Sequence, residues 1–263
     1  MESVFTHVTR VRIPLPLLRS MHVLDSNFFF ENLEPGVATL SSDESSHIVK
    51  AFRARVGDCL ELCDGKGRLA KAELIDADPK ACKVLIKSIS EQHEQPKIHL
   101  AISCLTDGSE EETVFHAAQM PLAAIHLLRT ERSLESRNSD LGKLRRRMEA
   151  KSLAALKQSC KTWLTEIKPP VYLNEFLDIF KGNLIVCDQN GKDAPPFGHP
   201  SKREELTAIL TGPEGGFSSA ELETMKNKGA FFLSLGSARL RAATAPLIAL
   251  GRIIFSGSAQ AAL

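Results

Sequence analysis

The pattern of apolar and polar positions changes character near residue 97. Before it, short stretches alternate. "CLELC" (59–63) is apolar at every second place, "DGKG" (64–67) is a turn, and "RLAKAELI" (68–75) alternates again. "DADP" (76–79) turns the chain once more, and "CKVLIKSIS" (82–90) reads as a third strand. Ahead of these, "SSDESSHIVKAFR" (41–53) has the spacing of a short helix. Ser41 and Glu44 stand in capping-box relation, and Ile48, Val49 and Phe52 share a face. Short strands with tight turns predict a small antiparallel β-barrel. "EQHEQPK" (91–97) is polar, aperiodic and carries Pro96, and it marks the boundary between two units.

Beyond it, apolar runs alternate with helical periodicity. "IHLAIS" (98–103) reads as a buried strand, "EETVFHAAQM" (111–120) as a helix and "AAIHLLRT" (123–130) as strand-like. A long basic helix is expected over 142–164, and strands over "GNLIVCD" (182–188), "LTAIL" (206–210) and "FFLSL" (231–235). A helix over 218–229 has Ser218 and Glu221 as its capping box and Gly229 as its stop, and "PLIALGRIIF" (246–255) is the last helix. This order implies an α/β unit with a parallel sheet covered on both faces.

Two corners follow strands in that unit. "TGPEGGF" (211–217) packs three glycines and a proline into five positions. Glycine there lets a ligand approach bare backbone, and ligands of open α/β sheets bind beyond the carboxyl ends of strands. It is neither a Walker loop nor G-x-G-x-x-G. Alone, such a corner is as readily a turn. The second corner, "LSLGSARLRAATAP" (233–246), also joins a strand end to a helix start through Gly236. It carries Arg239 and Arg241, cations that do not complement a helix N-terminus. Together the corners are expected to form two walls of one pocket.

Composition excludes more than it adds. The 263 residues are 43% hydrophobic and 25% charged, ordinary for a globular protein, and the net charge of +1 gives no global basic field for nucleic acid. Basic patches are local. Residues 143–161 hold Lys143, Arg145, Arg146, Arg147, Lys151, Lys157 and Lys161 against Glu149. Residues 50–71 hold Lys50, Arg53, Arg55 and Lys66 among others. The six cysteines form no C-x-x-C pair and read as reduced thiols, with no metal site expected. No membrane span is expected, and the reading places the protein in the cytoplasm. The basic, proline-broken stretch 1–20 is read as an N-terminal extension, with Met21 a plausible start.

"LTGPEGGFSSAELE" followed by "LSLGSARLRAATA" resembles the last two motifs of the SPOUT methyltransferases, and within them the ribosomal RNA small subunit methyltransferase E family. "HIVKAFRARVGDCLELCDGKG" (47–67) is similar to that family's PUA-like RNA-binding domain, and Gln158-Ser159 to its Gln-Ser helix segment. The resemblance implies a PUA-like small antiparallel barrel over 21–93 and a SPOUT α/β domain with a trefoil knot over 97–260. It implies a homodimer that binds S-adenosylmethionine, with no metal, and methylates N3 of a uridine in 16S rRNA of the small ribosomal subunit. Carried over by motif, the cofactor would be walled by Leu210, Thr211, Gly212, Pro213, Glu214, Gly215 and Gly216 and by Leu235, Gly236, Ser237, Leu240 and Ala242. Arg241 would be catalytic. Lys50, Arg53, Arg55, Lys66, Arg145, Arg146 and Arg147 would meet RNA. The chain departs from the family where Leu-Arg-Thr-Glu-Thr-Ala becomes Leu240-Arg241-Ala242-Ala243-Thr244-Ala245. It departs again where Thr106 and Glu110 replace a Lys and an Arg, leaving acids at Asp107, Glu110, Glu111 and Glu112, and where Lys157 replaces a Glu. Those losses set the alternative, a paralogue that binds rRNA without turnover.

Overall fold

The computed structural model describes residues 23–105, 108–133, 141–193 and 205–255. The stretch 1–20, Met21, Thr106 and Asp107, all named above, lie outside the described residues.

The N-terminal unit is a five-stranded sheet in the order β1-β3-β4-β5-β2. Its strands are β1 (Val23–Phe29), β2 (Gly36–Thr39), β3 (Cys59–Cys63), β4 (Arg68–Asp76) and β5 (Lys83–Glu91). The expected hairpins are present, as β3 with β4 and β4 with β5, both antiparallel. The sheet is nevertheless mixed, because β1 runs parallel to β3. β1 and β2 were not legible, since neither combines regular alternation with a turn signal on both sides. Helix α1 (Ser42–Ser46) starts where Ser41 accepts the Glu44 amide, and His47–Ala51 continues it as a wider π-helical turn. Phe28, Ile48, Leu60, Leu62, Leu74 and Val84 are buried together as this unit's core. Phe28 meets His47 and Phe52 edge-on at 5.9 and 5.4 Å.

The C-terminal unit is a seven-stranded parallel sheet. Its strands are β6 (Ile98–Ser103), β7 (Leu122–Arg129), β8 (Glu166–Ile167), β9 (Val171–Tyr172), β10 (Asn183–Lys192), β11 (Thr207–Thr211) and β12 (Phe231–Leu233). The order is β12-β10-β11-β6-β7-β8, with β9 also beside β7. Alternate residues of each strand serve two cores. Leu100, Ile102 and Ile209 pack against α2 (Glu110–Ala117), α3 (Leu141–Gln158) and α6 (Ala245–Phe255). Ala101, Ala208 and Leu210 pack against α4 (Leu173–Ile179) and α5 (Ser219–Asn227). This is the doubly covered parallel sheet expected from the apolar runs. β8, β9 and α4 were not anticipated, because "EIKPPVYLNEFLDIF" (166–180) holds two prolines and elements too short to show a period.

α3 ends at Gln158, six residues before the expected Leu164. The cause is the seam between the units. Cys160 takes a positive φ of 53°, and the chain then docks on the "DGKG" turn. The Gly67 amide donates to Thr162 O at 3.0 Å and the Leu164 amide to Gly65 O at 2.9 Å. A Cβ on Gly67 would lie 2.5 Å from Trp163 Cζ2, so only glycine fits. Asp64 shapes the turn by accepting the Lys66 and Arg68 amides and the Arg68 guanidinium. Burial alone would raise its pKa, but those bonds outweigh it and hold the carboxyl below its usual range. On the same seam, Lys157 Nζ meets Glu44 Oε1 at 2.7 Å with both side chains largely buried.

Two predictions follow from burial. Lys157→Ala strands the Glu44 carboxylate in a buried site, so it should cost about 3 kcal/mol of unfolding free energy; denaturant titration measures it, and adding Glu44→Gln should recover much of the loss. The second concerns His126, whose ring stacks on His99 with its Nε2 2.8 Å from His99 Nδ1, while Phe176 meets His126 and Phe180 meets His99 edge-on. Burial first, then the neighbouring His99 and Lys168 charges, lower its pKa from 6.5 to about 4. A folded pKa below the unfolded one means that the unfolded chain binds more protons between them. This contribution to stability is therefore full above pH 6.5 and lost as pH falls toward 4. Melting temperature against pH should show the loss, and His126→Gln should flatten that part of the curve.

Candidate active site

The carboxyl ends of β10, β11 and β12 lie side by side, because β10 pairs with both others in parallel. β11 carries the first corner. Thr211 is buried, and its carbonyl accepts from Ser103 Oγ at 3.1 Å. The chain then turns sharply. The Gly216 amide donates to Pro213 O at 2.8 Å, and Gly216 takes a φ of 69°, which favours glycine. The turn ends in the capping box of α5, where the Glu221 amide donates to Ser218 Oγ and the Ser218 amide to Glu221 Oε2 at 2.8 Å.

A brace from the end of β7 holds this corner. Glu221 Oε1, in the same carboxylate, accepts the Glu131 amide at 2.8 Å. Arg132 Nη1 donates to Gly215 O at 2.8 Å and to Phe217 O at 3.3 Å. The second corner has its own anchors. The Ser234 amide donates to Lys192 O at 2.9 Å, and Arg252 of α6 donates to the carbonyls of Ser234 and Asp193. Gly236 has a φ of 108°, and a Cβ there would meet open space. Past it, the Arg241 carbonyl accepts the amides of Thr244 and Ala245 and so opens α6, while Thr113 of α2 donates its hydroxyl to Ala243 O at 3.4 Å.

Two neighbouring cavities result. One, of about 330 Å³, is lined by Glu214 from the first corner, Arg239, Leu240, Arg241, Ala242 and Ala243 from the second, and Leu105 and Ser109 between β6 and α2. The other, of about 110 Å³, is lined by Cys187, Asp188 and Gln189 of β10 and by Leu235, Gly236, Ala238, Leu240 and Ala245. Leu240 is a wall of both. Burial holds the Cys187 thiol up at about 12, so it offers a neutral apolar surface rather than a nucleophile.

The structure thus brings Glu214, Leu235, Gly236, Leu240, Arg241 and Ala242 to these cavities. Leu210, Thr211, Gly212, Pro213, Gly215, Gly216 and Ser237 line neither. Leu210 is buried against the α4–α5 side of the sheet, since a strand covered on both faces spends its side chains on helices. The Cys187–Gln189 wall was not foreseen. "GNLIVCD" reads as a strand, but its place between the two corners depends on strand order, which local sequence does not carry.

The basic patches fare differently. Lys50, Arg53, Arg55 and Lys66 are exposed, the first three around the end of the π-helical turn and the last in the "DGKG" turn. On α3, Arg145 pairs with Glu149 at 2.9 Å and Arg147 with Glu111 at 3.0 Å, while Arg146 is exposed. The acidic stretch is accounted for in the same way. Glu110 is buried and accepts the Leu105 amide at 2.7 Å, and Glu111 is the partner of Arg147. Glu111 of α2 therefore offsets part of the charge that the helix carries alone.

Comparison with known proteins places this architecture. Residues 92–254 match the family described as RNA methyltransferase domain, and residues 40–87 match the RNA methyltransferase PUA domain. A Synechocystis protein named ribosomal RNA small subunit methyltransferase E is 30% identical over 229 residues, 85% of this chain and 74% of that protein. A Bacillus subtilis protein of the same name is 26% identical, over 82% of this chain and 89% of its own. A methyltransferase of Legionella pneumophila, solved with its bound cofactor SAM, superposes with a TM-score of 0.74 at 27% identity, covering 88% of this chain and 96% of its own. With a PUA-like unit leading into a parallel α/β unit, and family matches to both, the chain belongs to the RNA methyltransferase family.

Proposed function

We propose that this protein is an S-adenosylmethionine-dependent methyltransferase acting on N3 of a uridine in 16S rRNA, working as a cytoplasmic homodimer on the small ribosomal subunit. The observation that carries the reading is the shared cavity of Glu214 and Arg241 beside the glycine-floored one. Names of the relatives give the substrate class, and the cavity chemistry suits it.

The residues fit the cofactor. Leu235, Leu240, Ala238 and Ala245 offer apolar surface for a flat base, Asp188 and Gln189 offer polar groups for its edges and hydroxyls, and Gly236 leaves bare backbone exposed. Bound there, S-adenosylmethionine supplies a methyl on a cationic sulfonium. This chain must then align the acceptor, let the N3 proton leave, and stabilise the charge that spreads to the uracil oxygens. Arg239 and Arg241 are exposed guanidiniums on the wall of the larger cavity, and Arg241 is the group we assign to that charge. Ala242 and Ala243, where the family motif that the chain resembles reads Thr and Glu, put methyl groups on that wall in place of a hydroxyl and a carboxylate. Thr113 still ties the Ala243 carbonyl to α2, so the wall stays anchored. Arg132 and Glu221 act at one remove, by holding the first corner in place.

Methyl transfer to subunits lacking the modification tests the assignment. Arg241→Ala should lower kcat about 100-fold with the melting temperature unchanged, the loss expected of one charge-stabilising donor; near-normal turnover would remove Arg241 from the chemistry. Arg132→Met should act on the cofactor instead, through Glu214, the one residue by which the braced corner reaches the cavity adjoining the cofactor's. Losing hydrogen bonds from a charged group costs about 1.5–3 kcal/mol, so titration calorimetry should find S-adenosylmethionine bound roughly tenfold more weakly. Unchanged affinity would mean that the corner keeps its shape without the brace.

A further inference from the structure

A third cavity, of about 670 Å³, lies where β7 and β9 end, against the first turns of α4 and α5. It shares no lining residue with the two described above. At its rim Arg129 and Tyr172 are register partners in the β7–β9 pairing. Tyr172 is the single tyrosine of the chain, and it is 50% exposed. The Arg129 guanidinium lies 5.3 Å from the ring centroid, and its Nη1 donates to the phenol oxygen at 3.2 Å. Arg132 and Asn174 also line the cavity. Two carboxylates are present, Glu131 and Glu221, and both oxygens of Glu221 are already engaged with backbone amides.

A half-exposed aromatic ring with one guanidinium over it, and a second guanidinium and an amide nearby, is the chemistry that binds a nucleotide. The ring stacks a base, the cations take phosphate, and the amide reads a base edge. An apolar ligand would find too many charges here. We propose that this cavity binds an unpaired nucleotide of the RNA substrate, its base on Tyr172 and its phosphate between Arg129 and Arg132. The inference rests on the RNA-methyltransferase reading and adds a contact surface on the catalytic unit, apart from the PUA-like one. It also gives Arg132 two tasks, because its Nη1 already holds Gly215 and Phe217. RNA seated in this cavity would press on the side chain that fixes the glycine corner.

The test uses the full chain and a short single-stranded RNA carrying 4-thiouridine, with affinity read by fluorescence anisotropy and crosslinks mapped by peptide mass spectrometry. Tyr172→Ala should weaken RNA binding about tenfold, the loss of one base stack. Tyr172→Phe, which keeps the ring, should retain near-normal affinity. S-adenosylmethionine affinity should be the same in both, and crosslinks should fall in the peptide containing Tyr172. Wild-type RNA affinity in Tyr172→Ala, or crosslinks confined to other peptides, would overturn the proposal and leave the function of the enzyme untouched. If Tyr172→Ala does not fold, the Phe variant and the crosslink map decide. Failure of the wild-type chain to bind RNA at all would overturn both readings.

Discussion

One carboxylate fixes the geometry on which the functional end depends. Glu221 gives one oxygen to the amide of its own N-cap residue and the other to the Glu131 amide at the end of β7. A glycine corner has little intrinsic shape, since glycine loses more conformational freedom on ordering than any other residue. The entropy must be offset from outside the corner. Here Glu221 locks its exit and Arg132 binds two of its carbonyls. The corner can then present Glu214 to the larger cavity without collapsing. The second corner follows the same logic with different parts, since Arg252 holds its entrance and the Arg241 carbonyl starts α6.

That arrangement explains the division of labour among charges. The arginines that matter for shape, Arg132 and Arg252, point at carbonyls, whereas Arg239 and Arg241 are exposed on the cavity wall. Three cations of α3 serve structure. Arg145 and Arg147 meet acids, and Lys157 ties α3 to Glu44 of the N-terminal unit. A basic run is therefore a poor measure of an RNA-binding face until its partners are known, because two of the three neutralising acids, Glu44 and Glu111, sit on α1 and α2.

Much of this was legible in the chain, for physical reasons that differ by element. The capping box at Ser218 and Glu221 is a purely local signal, and it forms as expected. The parallel sheet announced itself because doubly buried strands must be apolar throughout. The two corners could be paired from their glycines and their place after strands. Cys187–Gln189 could not be added to them, since β10 joins the site only through strand order. The premature end of α3 was hidden for a similar reason. Its helical pattern continues past Gln158, but docking on the Gly65–Gly67 turn overrides it. Tyr172 was invisible as a stacking surface because its partner, Arg129, is 43 residues away. The brace of Arg132 and Glu221 spans still more chain.

The two cavities are proposed to serve methyl transfer to a uridine of the small-subunit RNA. The most direct measurement supplies S-adenosylmethionine with a labelled methyl to small ribosomal subunits lacking the modification, digests the RNA and identifies the labelled nucleoside by mass spectrometry. N3-methyluridine at a single site is the expected product. Label on another atom or nucleoside, or no transfer by a folded chain that binds the RNA, would contradict it.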